Sequence, residues 1–256
     1  MKISKAEKEK NYHKIIEASV KVITKEGFKA STMKDIAKAA GIADATIYKY
    51  FATKESILHA YFEIRMEDLV ERLQAIPDFQ EYSFQEQFHA LIESNLELFA
   101  RDRAFVKTAY ENVFLTNWIN AAEGSQQTKE RFFEVIDDLI QAAVEIEEFP
   151  EPPFKKLFYE LLWDYCIGIT YYWLKDESPK YTNTTTLIDK SLAMISASLK
   201  SGILNHAVDL FHFLVREHLL SRMKYETKPK NLDFDKAKRK FMASTSLRPK
   251  IRGHKA

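Results

Sequence analysis

Between Thr32 and Tyr50 the chain is punctuated so closely that it has room for only two very short helices, and this limits the fold more than any other stretch. In STMKDIAKAAG, Thr32 with Asp35 three residues on approximates a capping box, with Asp in place of the usual Glu. Ile36, Ala37 and Ala40 form the inward side, and Gly41 stops the helix after about two turns. Ile42 and Ala43 are left for the turn, and the spacing predicts a third helix over Asp44 to Tyr50. Ile47 and Phe51, four apart, then face the core with Ile36, leaving Asp44, Ala45, Thr46, Tyr48 and Lys49 outward. A longer helix precedes the pair over Lys8 to Glu26. There Tyr12, Ile15, Ile16, Val20, Val22 and Ile23 fall within an arc of about 160°. Gly27 ends it, and Phe28 folds back onto the apolar face.

Two short helices joined by a glycine turn and backed by a longer one make a helix-turn-helix, whose second short helix enters a DNA major groove. The outward residue types suit that task. Thr46 and Lys49 have the reach for base edges or phosphates, and the Tyr48 hydroxyl for a phosphate oxygen. Thr53 opens the next helix and puts Lys54 at a helix N-terminus, where free N–H groups already favour an anion. The plainer alternative is a hairpin that only packs. Against it stand the cap, the outward Tyr48–Lys49 pair and Lys54 taken together.

Everything after Thr53 also keeps helical spacing. The long helix carries Ile57, Leu58, Tyr61, Phe62, Met66, Leu69, Val70 and Leu73 up to Pro77. Helices follow over Phe84–Phe99, Ala104–Ile119, Lys129–Glu147, Phe154–Lys175, Thr185–Leu204 and His206–Met223, with EFPEPP closing the third of these. No window alternates cleanly as a strand, and six Gly and seven Pro in 256 residues disfavour a turn-rich β fold. The apolar run Leu157–Leu174 has the length of a membrane span, but Glu160 and Asp164 inside it argue for a packed helix, so no membrane insertion is expected. The net charge of +1 conceals segregation: residues 1–60 carry +5, residues 61–220 carry −13 and residues 221–256 carry +9. Two basic ends around an acidic body suggest an anionic partner. The tail from Tyr225 reads as mobile, with a short helix possible over Asp235–Met242.

No enzyme chemistry is visible. His206, His212 and His218 are six apart, about 240° round a helix, and nothing completes a metal site. The single cysteine, Cys166, lies in an apolar run, reads as an inert packed thiol, and suits a reducing cytoplasm. No nucleophile–base pair, phosphate-binding glycine loop or cofactor motif appears, so no catalytic residue, metal or cofactor is expected.

Residues of about 10–58 resemble the DNA-binding domain of the tetracycline-repressor (TetR) family of bacterial regulators. The match rests on Gly27-Phe28, Thr32, Asp35-Ile36-Ala37, Ala40-Gly41-Ile42, Thr46-Ile47-Tyr48, Tyr50-Phe51 and Lys54-Glu55. It implies that Thr32, Asp44, Ala45, Thr46, Tyr48, Lys49 and Lys54 form the DNA surface on a palindromic operator. Two positions depart from the family pattern. Ala43 stands where a serine commonly starts the recognition helix, and Ala45 where glycine is frequent. Asp44 is then the residue placed to cap instead, and its carboxylate suits a cytosine amino group.

The resemblance further implies an all-α cytoplasmic homodimer: an N-terminal three-helix helix-turn-helix domain over 1–53, a larger helical ligand-binding and dimerisation domain over 54–204, and an extra helix with a basic tail over 205–256. It implies a repressor whose operator affinity responds to a small, mostly apolar effector. For the pocket the aromatic candidates are Phe88, Phe99, Tyr110, Phe114, Trp118, Phe158, Tyr159, Trp163 and Tyr165, each of which also suits plain core. For the dimer seam they are Tyr172 and the stripe Ile188, Leu192, Ile195 and Leu199, which also suits a monomer's core. Competing readings are a protein of the same fold that binds a lipid or small molecule without using DNA, or one that engages a partner through its tail.

Overall fold

The computed structural model describes residues 4–114 and 126–214, and among these every regular element is helical. The chain divides after Asn205 into two units. The first begins with α1 (Lys5–Glu26), α2 (Met33–Ala40), α3 (Asp44–Ile47) and α4 (Lys54–Gln74). The capping box at α2 is formed: the Asp35 N–H donates to Thr32 Oγ1 at 3.2 Å, and the Thr32 N–H donates to Asp35 Oδ2 at 3.0 Å. Gly41 ends α2 with φ 69°, a left-handed conformation in which a side chain is strained.

Two differences from expectation appear at α3. The helix stops at Ile47 and continues to Tyr50 only as turns, and its cap position is Ala43, with no side-chain bond. A methyl group has no acceptor to offer the first free N–H groups, and Asp44 lies inside the first turn rather than at the cap. What holds α3 is packing. Ile47 is fully buried and Phe51 nearly so, against Ile15, Ile16, Ile36 and Ile57, and Tyr12 stacks on Phe51 with ring centroids 5.0 Å apart.

The larger part of this unit adds α5 (Phe84–Ala100), α6 (Arg103–Ala109), α7 (Gln126–Glu145), α8 (Lys155–Lys175) and α9 (Thr182–Lys200). Helix α4 runs from the head into it, burying Tyr61, Phe62, Met66, Leu69 and Leu73 against α5 and α7. Helix α5 starts on a second capping box, Ser83 with Glu86, and the Phe84 N–H also donates to Glu148 Oε2 at 2.9 Å. Helix α6 is shorter than its apolar spacing suggested: after Ala109 it widens into a π turn over Tyr110–Phe114, and the rest of the expected Ala104–Ile119 segment lies outside the described residues. On its other side α6 packs against α1 of the head.

Arg103 ties α6 to the end of α8. Its Nη2 donates to the carbonyls of Trp173, Leu174 and Asp176 at 3.0, 3.2 and 3.4 Å. Asp176 in turn accepts from the Ser178 N–H at 2.8 Å and from the Thr184 N–H and hydroxyl at 2.9 and 2.6 Å, which fixes the start of α9. Burial opposes ionisation of this carboxyl, yet those bonds hold it well below the usual range.

The expected Thr185–Leu204 helix is broken. It ends at Lys200, and Gly202, at φ 64°, separates it from α10 (Ile203–Leu214). From His206 onward the chain belongs to the second unit, whose described part is helical and carries exposed Leu210 and Phe211. The expected Asp235–Met242 helix lies outside the described residues. No helix among the described residues is long and apolar enough to cross a membrane, and no cluster among them has metal-ligand chemistry.

Candidate nucleic-acid interface and ligand pocket

Asp44, Ala45, Tyr48 and Lys49 are exposed together on α3 and its following turn, and Thr46 beside them is half-buried. Tyr48 is 59% exposed, unusual for so large a ring with no packing duty on this side. The backing is rigid, because Ile47 between these residues is fully buried. A row of hydroxyl, phenol and ammonium groups on such a support is suited to hydrogen-bonding phosphate and base edges.

Two of the expected contact residues are engaged elsewhere. Lys54 turns inward: its Nζ donates to the carbonyls of Phe28 and Ser31 at 2.5 and 2.6 Å and lies 4.6 Å from the centroid of the Phe28 ring. It therefore staples the α1–α2 loop to α4 instead of presenting a free ammonium. The physical reason is local: the α1–α2 loop leaves two carbonyls beside the α4 N-terminus, and the half-buried lysine is their nearest strong donor. Thr32 is exposed, but its hydroxyl completes the α2 cap with Asp35, whose pKa is lowered by that bond.

A second site lies between α4, α5, α7 and α8, a cavity of about 60 Å³. Its apolar wall is Phe62, Met66 and Leu69 of α4, Leu91 and Phe99 of α5, Phe132 of α7, and Trp163, Cys166 and Ile167 of α8, with Tyr110 from the π turn. Polar groups are few: Arg65, Asn95, Thr128 and Thr170. The Thr128 hydroxyl and Arg65 Nε are buried without a hydrogen-bond partner among the described residues, so each would gain from an acceptor entering the cavity. Arg65 is otherwise held by Asp68 at 2.6 Å and Asp102 at 3.5 Å, and Asp102 also accepts from the Tyr61 hydroxyl at 3.0 Å. Burial raises the Tyr110 and Cys166 pKa values, so both stay neutral at ordinary pH.

Of the expected pocket aromatics, Phe99, Tyr110 and Trp163 line this cavity. Phe88 does not; it is fully buried and stacks on Phe84. Tyr159 donates its hydroxyl to Asp137 at 2.5 Å, Tyr165 pairs with Ser191 at 2.6 Å, and Phe158 packs beside the core, so these three belong to helix packing. The Phe114 side chain and Trp118 lie outside the described residues. Phe62, Met66 and Leu69 have a helical spacing that plain core would share, and nothing in the sequence pattern singles out Arg65 or Thr128 as cavity residues. Cys166, taken for simple packing, is also part of the wall.

The expected dimer stripe is corrected as well. Ile188, Leu192 and Leu199 are 2–3% exposed within the single chain and pack inward, with Ile195 half-buried beside them. A side chain already covered by its own chain has no area left for a partner. Tyr172, at 42%, does lie outward, on an α8 face that also carries Leu157, Leu161, Gly168 and Tyr171. On α9 the outward apolar residues are Leu187 and Met194.

A short-helix hairpin on a three-helix head, joined by a long helix to an all-α body with an apolar cavity, defines an all-helical protein of the helix-turn-helix class. Residues 15–61 match the model of bacterial regulatory proteins of the tetR family, and residues 87–214 match that of the tetracyclin repressor-like C-terminal domain. The chain belongs to the TetR family. It is 44% identical over 68 residues to the fatty acid metabolism regulator protein of Bacillus subtilis, an alignment covering 27% of this chain and 35% of that protein. The chain thus aligns with only about a third of that relative's length. Among solved structures it resembles the fatty acid degradation regulator FadR of Bacillus halodurans (TM-score 0.58, 20% identity, 78% of this chain and 99% of that one). It also resembles the Bacillus subtilis regulator FadR in complex with stearoyl-CoA (TM-score 0.56, 22% identity, 75% and 98%). These two likenesses establish a shared fold.

Proposed function

We propose that the protein is a homodimeric repressor that binds a palindromic operator through α3 and the turn after it, and releases it when an acyl-chain ligand enters the helical body. The observation that carries the reading is the exposed set Asp44, Ala45, Tyr48 and Lys49 standing on the buried Ile47. On this reading residues 1–53 are the DNA-binding head, 54–204 the effector and dimer part, and 205–256 an extension. The outward apolar face of α8 and α9, with Leu161, Tyr172, Leu187 and Met194, supports a seam made by two copies of that helix pair. Two heads must then stand one helical turn apart, roughly 34–36 Å, for both to enter major grooves on one side of a duplex.

The apolar cavity with unpartnered Thr128 and Arg65 donors supports a ligand that is mostly hydrocarbon with one polar end. The relatives named for fatty acid regulation, one seen with stearoyl-CoA, favour an acyl chain among such ligands. At about 60 Å³ the cavity takes only a few waters, so a long chain must part the helices as it enters. That parting would move α4, which links cavity and head, and a ligand favouring one spacing of the heads shifts operator affinity by its differential binding. The test is fluorescence anisotropy of a labelled duplex from the protein's own promoter, with and without palmitoyl-CoA. Tight binding that Tyr48→Ala with Lys49→Ala abolishes, and that palmitoyl-CoA reverses, is expected. Binding indifferent to both would overturn the reading; a bound acyl ligand with no operator affinity would favour a protein of this fold that has given up DNA.

A further inference from the structure

A second cleft, about 540 Å³, opens at the turn between α8 and α9 and shares no lining residue with the apolar cavity. Four cationic side chains converge on it from three segments: Arg103 and Lys107 of α6, Lys175 at the end of α8, and Lys180 of the 3₁₀ turn Pro179–Tyr181. Of the four, Lys175 alone meets a carboxylate among the described residues, Glu111 at 2.9 Å. The side chains of Lys107 and Lys180 make no hydrogen bond or ion pair among the described residues. The guanidinium of Arg103 lies 5.1 Å from the centroids of both Trp173 and Tyr181 and spends only Nη2 on backbone carbonyls. Its Nε is buried with no partner.

Carboxylates are present but fewer than the cations. Asp176, its oxygens bonded by Ser178 and Thr184, Glu177, and Glu111 at Lys175 offset part of the charge, which leaves the four cations in excess by one. Lys180 and Tyr181 also hold left-handed backbone, at φ 54° and 58°, a conformation unfavourable for any residue with a Cβ. Converging like charges beside a costly backbone are an unfavourable arrangement for an empty surface.

We propose that this cleft binds a phosphate-bearing small molecule, a phosphate or pyrophosphate ester of metabolite size. A fixed guanidinium with a spare donor suits a phosphate oxygen, and mobile ammonium groups supply charge around it. The volume is too large for a lone inorganic ion and lies in the range of small-molecule sites. The proposal does not depend on DNA binding or on an acyl effector.

The test is isothermal titration of the full chain with inorganic pyrophosphate, in buffer matched for ionic strength with sodium chloride. Saturable binding, one per chain, is expected. Lys107→Gln with Lys180→Gln should weaken it at least about tenfold, the loss of one charge-assisted contact or more. Lys107→Arg with Lys180→Arg should keep it within about threefold, since the charge remains. Both lysines are exposed, so circular dichroism of the variants should match the parent. No saturable heat for the parent, or equal affinity for parent and glutamine variant, would overturn the proposal.

Discussion

Replacing Lys54 by methionine separates two roles that a lysine at this place could have. In the structure its ammonium donates to two backbone carbonyls, of Phe28 and Ser31, and sits over the Phe28 ring. A hydrogen bond from a charged donor contributes about 1.5–3 kcal/mol when its partner is otherwise unsatisfied. The cation–π contact adds about 0.5–1 kcal/mol. These terms sum to about 3.5 kcal/mol or more, but Lys54 is half-buried and its methylene stem survives in methionine, so solvent screening cuts the loss to about 2–3 kcal/mol. That is roughly a 30- to 150-fold rise in the unfolded fraction, read as a lower urea midpoint at unchanged slope. Operator affinity measured well below the midpoint should keep its salt dependence, because no phosphate contact has been removed. The opposite result would refute the staple: stability unchanged within about 0.5 kcal/mol, and a salt slope reduced by about one counterion.

Three further outcomes follow from the geometry. Lys49→Ala should weaken operator binding for all sequences alike and reduce the salt slope by about one, whereas Tyr48→Phe should weaken it with no change in slope, both by anisotropy titration. If two copies pair through α8 and α9 as proposed, Met194→Arg with Leu161→Arg should give a folded monomer, by analytical ultracentrifugation. By contrast Leu192→Ala should cost about 2–5 kcal/mol of stability through a core cavity. Asp176 has a depressed pKa, so its stabilising contribution is complete above its ordinary value of 3.8 and is lost as pH falls below it. Asp176→Asn should therefore flatten the acid limb of a pH–stability curve in that range.

The sequence revealed most where one residue type has one physical use. Thr32, Asp35 and Gly41 predicted the α2 boundaries because capping and left-handed backbone have few solutions, and Gly27 marked the end of α1 equally well. It misled where a side chain has several uses. Lys54 at a helix N-terminus suggested a phosphate contact, and only the position of the α1–α2 loop shows the two carbonyls that occupy it. The α9 stripe of Ile188, Leu192, Ile195 and Leu199 was correctly seen as one face, but periodicity does not tell whether a face meets its own chain or another. Phe62, Met66 and Leu69 were visible as an apolar row of α4; that they border a cavity depends on how four helices fail to close around them. The basic cleft was invisible for a similar reason: Arg103, Lys107, Lys175 and Lys180 are scattered over 78 positions and meet only through the turn that Asp176 shapes.

Operator selection would show whether α3 reads DNA sequence. Full-length protein is equilibrated with a pool of random duplexes near 0.15 M salt, a concentration at which non-specific binding is weak. The account predicts an enriched palindrome whose half-site centres lie about 10–10.5 base pairs apart or a multiple of that, with enrichment lost in the Tyr48→Ala, Lys49→Ala variant. A pool that stays random, or the same palindrome recovered by that variant, would contradict it.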